Sequence, residues 1–419
     1  MDASNLKAVE GAFGTRIIDW ATRLAQWSDT PGGLTCAYLT PAHRAVAAEL
    51  QKWMRAAGMT AGIDATGNVV GRYASDNPGA HTLILGSHYD TVRDAGRYDG
   101  RLGILAALAV VEHLNRHRTK LPFHVDVMAF SEEEGVRFST PYIGSSAIAG
   151  KFDVGILDRQ DGDGNRLADV MRAAGHDPNM IPALARSPQE LIGYLEVHIE
   201  QGPVLLHEDL PVGIVTSIAA SVRQRVSITG TAGHAGTVPM ALRHDAAAAA
   251  AEIVLFVERR CGAAASLVGT VGELCVPNGA INIIPGRCEL TLDIRAGDDR
   301  TRDAAVVDVR AEMERIAARR GVAIEVSDII RGNNVPCSGH IQQQLAKAIA
   351  RAGSKVRSLA SGAGHDATKF HGVTELGMLF VRCGNGGISH SPLETITAED
   401  ADIATRILLD TVVNFEPAR

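Results

Sequence analysis

The 419-residue sequence lacks a CxxC pair, a secretory signal and any apolar run long enough to cross a bilayer. Its six cysteines are scattered along the chain. Residues 1–11 contain no basic stretch followed by an apolar one, which is the pattern of a secretory signal. We therefore expect free thiols and a location in the reducing cytoplasm.

Strong basic charge is also missing. The formal net charge is −7, and even the densest basic segment, 310–320, alternates with glutamates, as a solvated helix face does. The longest apolar stretches, 103–111 and 246–257, are shorter than a membrane span and indicate buried faces of helices. The sequence therefore predicts neither a nucleic-acid nor a membrane partner.

The length of 419 residues predicts two domains, because a single core stops growing before that size. In the first part of the chain, predicted strands alternate with predicted helices, which favours an α/β domain with a mostly parallel sheet. The predicted strands are 68–73, 82–85, 123–130 and 193–199, and the predicted helices are 42–57 and 102–113.

The pattern changes near residue 211. Residues 225–230 and 288–295 alternate between polar and apolar residues, and 323–326 is a further short strand. Helices are predicted at 244–260 and 300–320, which gives a β-α-β-β-α-β order typical of an α+β, ferredoxin-like sandwich. The α/β pattern returns near residue 331, with a helix at 341–352 and a strand at 377–382. We therefore expect a domain at 213–329 inserted into a catalytic domain made of 1–212 and 330–419.

Chemically active side chains are concentrated in five short motifs. In GSHYD (86–90), His88 and Asp90 follow a strand at i, i+2 spacing, so both point to one face and one can orient the other on a metal. In GRYDG (96–100), glycines flank Asp99, so its carboxylate could approach two cations. Parallel sheets place their sites at the carboxyl ends of strands, where these motifs lie.

The remaining three motifs contain further side chains that are candidate metal ligands. AFSEEEG (129–135) ends a strand with three glutamates, whose mutual repulsion a divalent cation would relieve. LEVHIEQG (195–202) places His198 in a strand, and GISHSP (387–392) places His390 in a loop after one. Each motif alone is also explained by a surface loop or a turn. Their combination in one α/β frame favours a metal site.

The mixture of imidazole and carboxylate suits Zn²⁺, Mn²⁺, Co²⁺ or Ni²⁺ rather than Ca²⁺ or an iron–sulfur cluster. Two such ions that share an aspartate would polarise a carbonyl and activate water. A spare glutamate could take the proton of that water and pass it to a leaving nitrogen. The residues therefore predict a two-metal hydrolase and leave the identity of the metal open.

The motifs GSHYDTV, DAGRYDGRLGI, AFSEEEGVRF, LEVHIEQGPVL, GHAGTVPM and SGAGHDA…ISHSP resemble those of the di-metal aminoacylase/carboxypeptidase-type amidohydrolases. Within that family they are most similar to the branch that contains allantoate amidohydrolase and N-carbamoyl-L-amino-acid hydrolase. The resemblance covers nearly the whole chain, in order.

The resemblance implies five metal ligands: His88, Asp99, Glu134, His198 and His390. Asp99 would bridge the two ions, with His88 and His198 on one ion. Glu134 and His390 would complete the set on the other. Asp90 would orient His88, and Glu133 would be the general base, with Glu132 as an extra neighbour.

The resemblance also implies that the inserted domain is a lid and the dimerisation surface of a homodimer. His234 would reach a substrate across the dimer and polarise the scissile carbonyl. Asn282 and Arg295 would grip the substrate carboxylate, since the planar fork of arginine binds carboxylates bidentately. Gln201 and Gly364 would make further substrate contacts.

Simpler explanations stay open at several of these positions. His234 could be an ordinary loop histidine, and Arg295 could form a surface ion pair. His365 and Asp366 are as consistent with shaping a loop as with catalysis. Relatives often carry Gln or Arg just after the IA of GIVTSIA, where this chain has residues 220–222, so the role of Arg223 is also open.

DTVRDAGRYDGRLGI and FVRCGNGGISHSP are more similar to the allantoate branch than to carbamoylases, which tend to have a glycine pair where Ala95-Gly96 stands. We therefore expect hydrolysis of a ureido C–N bond in allantoate, a small anionic substrate of purine catabolism, with release of ammonia and carbon dioxide. N-carbamoyl-L-amino-acid hydrolysis is the alternative, followed by dipeptidase or deacylase activity. A non-catalytic metal-binding protein on the same scaffold is the alternative from another class.

Overall fold

The computed structural model describes residues 12–418, so residues 1–11, which carry the signal-peptide expectation, lie outside it. The described chain divides into two compact units. The second unit comprises Ser217–Pro336 and Ala360–Gly364, and the first comprises the remaining described residues. Its main segment begins and ends a few residues later than the predicted 213–329. At its end, β12 continues past the predicted strand 323–326. Nothing in the sequence pattern indicates that Ala360–Gly364 joins this unit.

Fifteen strands lie within residues 12–418: β1 (Thr60–Ile63), β2 (Val69–Tyr73), β3 (Thr82–His88), β4 (His124–Phe130), β5 (Leu191–Ile199), β6 (Val212–Ile218), β7 (Ala220–Thr229), β8 (Gly233–His234), β9 (Leu267–Cys275), β10 (Ile283–Ile284), β11 (Arg287–Ala296), β12 (Ala323–Gly332), β13 (Val335–Pro336), β14 (Ser358–Ser361) and β15 (Leu376–Val381).

The same residues form eleven α-helices: α1 (Ala12–Leu24), α2 (Pro41–Ala56), α3 (Arg101–Arg116), α4 (Ile143–Ile148), α5 (Leu167–Ala173), α6 (Val204–His207), α7 (Ala246–Gly262), α8 (Asp299–Arg320), α9 (Gly339–Arg351), α10 (Ala367–Phe370) and α11 (Ala398–Val413). They also form short 3₁₀ helices at Val154–Asp158, Pro178–Leu184, Pro188–Glu190, Met240–Leu242 and Asn385–Gly387.

The first unit is built on a mixed sheet with the strand order β1-β2-β4-β3-β5-β15-β6, and β13 and β14 pair with β6. The central strands β4, β3, β5 and β15 are parallel. The strands β2 and β6 run antiparallel to their neighbours. Strands β3 and β4 are buried along their whole length, as expected of strands covered on both faces. This confirms the predicted α/β fold with its largely parallel sheet.

Helix α3 is buried almost all round, because it packs between the sheet and the helices α1 and α11. Its centre is the apolar stretch 103–111, whose burial in a helix was predicted from its length. Neither α1 nor α11 is among the sequence predictions, although both contribute side chains to the main core. The sheet and helix α3 together form the rigid base from which the loops described below extend.

The second unit has a four-stranded antiparallel sheet with the order β12-β7-β11-β9. Helices α7 and α8 pack against one face of this sheet, and its alternating apolar residues are buried there. The expected β-α-β-β-α-β order is therefore present, with longer strands than predicted and with β9, to which no predicted strand corresponds. The short strands β8 and β10 form a separate antiparallel pair.

All six cysteines lie within the described residues and are free thiols, and five of them are buried. No helix within residues 12–418 combines the length and the apolar character that a membrane span requires.

The packing of α3 against β5 gives a testable prediction. A Cβ at Gly103 would overlap the carbonyl oxygen of Val197 and lie 2.9 Å from Cβ of Ser87. Because a backbone oxygen cannot rotate away, we expect Gly103→Ala to destabilise the fold by about 1–3 kcal/mol despite the better helix propensity of alanine. Thermal unfolding followed by circular dichroism would measure the loss.

The matched control is Gly339→Ala, at the first residue of α9, where an added Cβ meets no atom within 4 Å. We expect this variant to unfold at or above the wild-type midpoint. Equal midpoints for the two variants would contradict the described packing of α3.

Candidate functional site

The five predicted metal ligands converge at the carboxyl ends of the central parallel strands. His88 is the last residue of β3, and His198 lies near the end of the neighbouring β5. Asp99 lies in the loop before α3, Glu134 follows β4, and His390 lies in the loop after β15. Because parallel strands present their carboxyl ends at one edge, residues far apart in sequence meet there.

Asp99 lies at the centre of the cluster and is buried. Its Oδ1 is 3.6 Å from Nε2 of His88 and 3.2 Å from Nε2 of His198. Its Oδ2 is 3.1 Å from Nε2 of His390, which is itself 3.5 Å from Oε1 of Glu134. The ligand atoms thus form two groups, each within the 4.8 Å spread that one cation can span, and both groups contain Asp99.

The buried atoms of this cluster fit a divalent cation. Asp99 Oδ1 and His198 Nε2 have no hydrogen-bond partner among the described residues, although they lie 3.2 Å apart. The other ring nitrogens contact backbone carbonyls: His88 Nδ1 is 3.1 Å from Asp90 O, and His198 Nδ1 is 2.9 Å from Ile199 O. An imidazole that donates from Nδ1 presents the lone pair of Nε2 toward the cluster, as metal-binding histidines do.

The electrostatics of the cluster also favour a cation. Burial, together with the charge of Asp99, raises the pKa of Glu134 to about 7. Burial raises the pKa of Glu133 well above its usual value, and Glu134 adds to the effect. The hydrogen bond to Asp99 raises the pKa of His390 to about 9. Burial and the neighbouring carboxyl groups therefore disfavour the ionised forms of Glu133 and Glu134, and a nearby divalent ion would favour them.

Asp90 lies beside His88 and also contacts the turn that follows β4. Its carboxylate accepts hydrogen bonds from the backbone N–H of Glu133 at 3.1 Å and of Glu134 at 3.2 Å. The Asp90 carboxylate is 3.8 Å from Nδ1 of His88, whereas the Asp90 carbonyl is 3.1 Å from it. The side chain thus shapes the turn that carries the two glutamates, and the backbone carbonyl orients His88. Glu132 is in none of the candidate cation-binding groups among the described residues, and its Oε1 accepts the N–H of Arg137.

The backbone near the cluster adopts strained or glycine-specific conformations. Gly100 has φ +65°, and a Cβ there would lie 2.5 Å from the ring of His88. Gln201 and His390 lie in the left-handed region at φ 56° and 54°, which costs free energy and is common at functional sites. Gln201 Nε2 donates to Asp99 Oδ2 at 3.0 Å and lies 3.2 Å from His390 Nε2. Gln201 therefore touches the metal-binding cluster itself, in addition to its predicted role in substrate binding.

Sequence reasoning missed two supporting carboxylates. Glu394 is buried, and its Oε1 accepts the N–H of Tyr98 at 2.7 Å and of Asp99 at 3.2 Å, so it fixes the loop that carries the central aspartate. Glu196 accepts from Ser87 Oγ at 2.9 Å and from the Tyr194 hydroxyl at 2.8 Å. Their positions, four residues after His390 and two before His198, are the signals that could have identified them.

His365 and Asp366, whose role the sequence left open, are both buried beside the cluster. The His365 ring is edge-on to that of His198, with centroids 4.4 Å apart. Burial, then the charge of His198, lowers the pKa of His365 well below its usual value, so it is neutral. Burial and Glu196 raise the pKa of Asp366 to about 8. Their position fits packing around His198, and His365 also forms a further candidate cation-binding group with Glu196 and His198.

The predicted residues of the second unit lie on two different parts of it. His234 on β8 pairs with Ile283 on β10, and the N–H of Ala235 donates to the carbonyl of Asn282 at 2.9 Å. The structure therefore brings His234 and Asn282 together, and both are exposed. Nδ1 of His234 accepts the N–H of Gly236 at 3.1 Å, which leaves the proton of a neutral ring on Nε2.

Arg295 lies on β11, in the four-stranded sheet, and its Nε and Nη2 bind the carboxylate of Asp293 at 2.9 and 2.7 Å. The ion pair that the sequence left open is therefore present in the structure. Its Nη1 donates to the carbonyl of Gly362 at 2.6 Å. Gly364 is exposed in the same short segment, directly before the buried His365.

Comparisons with known proteins show which proteins this chain is similar to. The chain is 39% identical over 381 residues to the N-carbamoyl-L-amino acid amidohydrolase of Geobacillus stearothermophilus, which covers 91% of this chain and 93% of that protein. It is 39% identical over 421 residues to allantoate deiminase 1 of Glycine max, covering 92% of this chain and 87% of that protein. A crystal structure of an amidase of the hydantoinase/carbamoylase family from Burkholderia multivorans has a TM-score of 0.91 at 32% identity, covering 97% of this chain and 98% of that one.

The model of Peptidase family M20/M25/M40 matches residues 84–414, which include all five predicted metal ligands. The resemblance seen in the motifs is thereby confirmed. The alignments cover 93% of the amidohydrolase from Geobacillus stearothermophilus and 87% of the allantoate deiminase from Glycine max. This chain is a hydrolase that acts on C–N bonds, and it belongs to Peptidase family M20/M25/M40.

Proposed function

We propose that this chain is a two-metal amidohydrolase that cleaves the ureido C–N bond of allantoate, a small anionic substrate. The observation that carries the proposal is the buried pair Asp99 Oδ1 and His198 Nε2, which lie 3.2 Å apart without a hydrogen-bond partner among the described residues. Two groups of side chains share that aspartate, as a two-metal hydrolase requires.

His88 and His198 would hold one ion, Glu134 and His390 would hold the other, and Asp99 would bridge them. When bound, the ions would polarise the scissile carbonyl and make the attacking water more acidic. Zn²⁺ and Mn²⁺ are the first candidates and Co²⁺ and Ni²⁺ the next, because the donor set is mixed nitrogen and oxygen. Half of the His390 side chain, 47%, is exposed, so we place substrate entry on its side of the cluster.

Glu133 is the residue that we propose moves the proton. Its backbone is fixed by the Asp90 carboxylate, its side chain is buried beside Glu134 and His88, and its raised pKa suits a group that must both accept and return a proton. It would take a proton from the attacking water and donate it to the leaving nitrogen. The released carbamic acid would decompose to ammonia and carbon dioxide.

The second unit would bind and polarise the substrate. His234 has its Nδ1 engaged by Gly236, so its Nε2–H can donate to the carbonyl oxygen, where negative charge develops. Arg295 and Asn282 would bind the carboxylate, with Gly364 and Gln201 in further contact. We propose that the second unit acts as lid and as dimerisation surface, so that His234 serves the active site of its partner in a cytoplasmic homodimer.

N-carbamoyl-L-amino acids are the second candidate substrates, since relatives named for both activities are 39% identical to this chain. The sequence of the loop around Ala95-Gly96 favours allantoate, which would place the enzyme in purine catabolism. A non-catalytic metal-binding protein is the remote alternative. The presence of Glu133 beside a complete ligand set argues against it.

Replacing the proton-transfer residue tests the mechanism. We expect Glu133→Gln to lower kcat for allantoate by about 10²–10⁴-fold, because an amide cannot accept the proton, while the two bound ions remain. Ammonia release and metal analysis on the Mn²⁺-loaded protein would measure both effects.

Glu132→Gln is the matched control, since Glu132 is adjacent to Glu133 but belongs to none of the candidate cation-binding groups among the described residues, and we expect near-wild-type activity. Turnover of N-carbamoyl-L-amino acids but not of allantoate would overturn the choice of substrate. No turnover of any ureido acid by the wild type would favour the metal-binding alternative.

The buried carboxylates predict how pH affects the metal-free protein. Glu134 and Glu394 have pKa values raised to about 7, above their ordinary value, so folding favours their protonated forms. That stabilisation is complete below the unfolded pKa, near 4.3, and is lost as pH rises through 7. We expect the unfolding temperature of the metal-free protein to fall between about pH 5 and 7 and to level off above it, and that of the metal-loaded protein to fall less. Equal slopes in calorimetry would contradict a cation at this cluster.

The shared active site predicts complementation between inactive subunits. His234→Ala and Glu133→Gln homodimers should each be inactive, and subunit exchange should restore activity, because one mixed site then contains both wild-type residues. We expect up to about one quarter of wild-type activity if exchange is random and one of the two sites in each mixed dimer is intact. Ammonia release, with exchange verified by native mass spectrometry, would measure it. Exchange without recovery would refute the action of His234 in its partner's site.

A further inference from the structure

One face of the four-stranded sheet in the second unit carries a row of charged side chains. Along β11 this face presents Thr291, Asp293 and Arg295, which alternate with buried residues packed against helices α7 and α8. On the adjacent β7, Arg223 is the register partner of Asp293, and Arg225 is the partner of Thr291. Three arginines and one aspartate therefore occupy neighbouring positions on the uncovered face.

Asp293 binds two of these arginines at once. Its Oδ2 is 3.1 Å from Nε of Arg223 and 2.7 Å from Nη2 of Arg295, and its Oδ1 is 2.9 Å from Nε of Arg295. Although burial alone would raise the pKa of Asp293, Arg295 and then Arg223 lower it below its usual range, so the aspartate stays charged. One carboxylate thus fixes the orientation of two guanidinium groups.

These residues line a concave cavity of about 680 Å³, which also includes Arg225 and Gly362. Arg295 Nη1 donates to the carbonyl of Gly362 at 2.6 Å, so the segment Ala360–Gly364 forms part of the same wall. The cavity lining contains three arginines against Asp293 and Glu273, which leaves an excess of positive charge. A cavity of this size can enclose a small organic anion.

An ordinary solvated sheet face is the simplest alternative, because antiparallel sheets commonly expose polar residues on one side. Two features argue for a binding site. Partly exposed ion pairs contribute little to the free energy of unfolding. Stability alone therefore does not explain why one carboxylate orders two long side chains. The planar guanidinium group of arginine is also better suited than the ammonium group of lysine to binding oxygen anions with a defined geometry.

We propose that Arg223 is a specificity-determining residue, held beside Arg295 by Asp293, which recognises a second oxygen-rich group of the substrate. The proposal rests on the proposed function, in which Arg295 binds the substrate carboxylate. The chemical class selected is a ureido acid with a further carboxylate or ureido group close to its carboxylate. Allantoate and N-carbamoyl-L-aspartate belong to this class, whereas N-carbamoyl-L-leucine does not.

The test compares three substrates in the wild type and in Arg223→Ala, both loaded with Mn²⁺. We expect the KM of Arg223→Ala to rise about tenfold for allantoate and N-carbamoyl-L-aspartate, the effect of losing one charge-assisted hydrogen bond, with little change in kcat. For N-carbamoyl-L-leucine we expect KM to change less than twofold. Arg315→Ala is the control, because Arg315 pairs only with Glu312 of its own helix α8 among the described residues, and should leave all three values unchanged.

The pattern across substrates separates recognition from a structural effect. If Arg223 acted only through the position of Arg295, KM would rise equally for all three substrates, since all carry the carboxylate that Arg295 binds. An equal rise, or no rise, overturns the proposal. Arg223→Lys, which keeps the charge but loses the fork, should give an intermediate KM for the two oxygen-rich substrates.

Failure of the proposed function would be seen separately, as absence of turnover of every ureido acid by the wild type. In that case calorimetry with malonate and acetate decides the proposal. We expect the metal-loaded wild type to bind malonate, the dianion, more tightly than acetate. In Arg223→Ala we expect the ratio of the two dissociation constants to decrease about tenfold. An unchanged preference would refute a second anion-binding group at Arg223.

Discussion

Three imidazoles face one buried carboxylate, that of Asp99, and this arrangement determines the architecture of the site. Asp99 Oδ1 faces His88 and His198, and Asp99 Oδ2 faces His390, at 3.1–3.6 Å. Burying a carboxylate costs free energy unless its charge is balanced. Hydrogen bonds from the histidines hold the pKa of the buried Asp99 below its usual value, so the imidazoles supply part of that balance. In the proposed function, two cations would complete it. The glycine before α3, the Asp90 carboxylate and Glu394 each hold one part of the chain in the position that this arrangement needs.

The parallel centre of the sheet explains why residues spread over some 300 positions can meet. Strands β3, β4, β5 and β15 end at one edge, so each following loop extends toward the same point. Helix α3 packs closely against β5 at Gly103 and keeps the Asp99 loop in register with His198. Stability and function are therefore coupled through backbone packing, since a shift of that helix would move the central aspartate relative to its partners.

The sequence predicted the parts of this structure that depend on local patterns. Hydrophobic periodicity identified α3 and the central strands, and motif resemblance identified Asp99 and the four residues that cluster around it. It did not identify the roles that depend on tertiary contacts. The i, i+2 spacing indicated that Asp90 lies beside His88. It could not indicate that the Asp90 carboxylate also accepts hydrogen bonds from the glutamate turn, because only the fold brings β3 and the end of β4 side by side. Likewise, the joining of Ala360–Gly364 to the inserted unit has no local signal.

The account depends most directly on two ions bound on either side of Asp99. Anomalous diffraction from crystals of the protein loaded with Zn²⁺ or Mn²⁺, recorded at the metal edge, would locate them. We expect two peaks about 3.5–4 Å apart, one beside His88 and His198 and the other beside Glu134 and His390, with Asp99 between them. Peaks elsewhere, or a single ion that leaves Asp99 uncoordinated, would contradict the account.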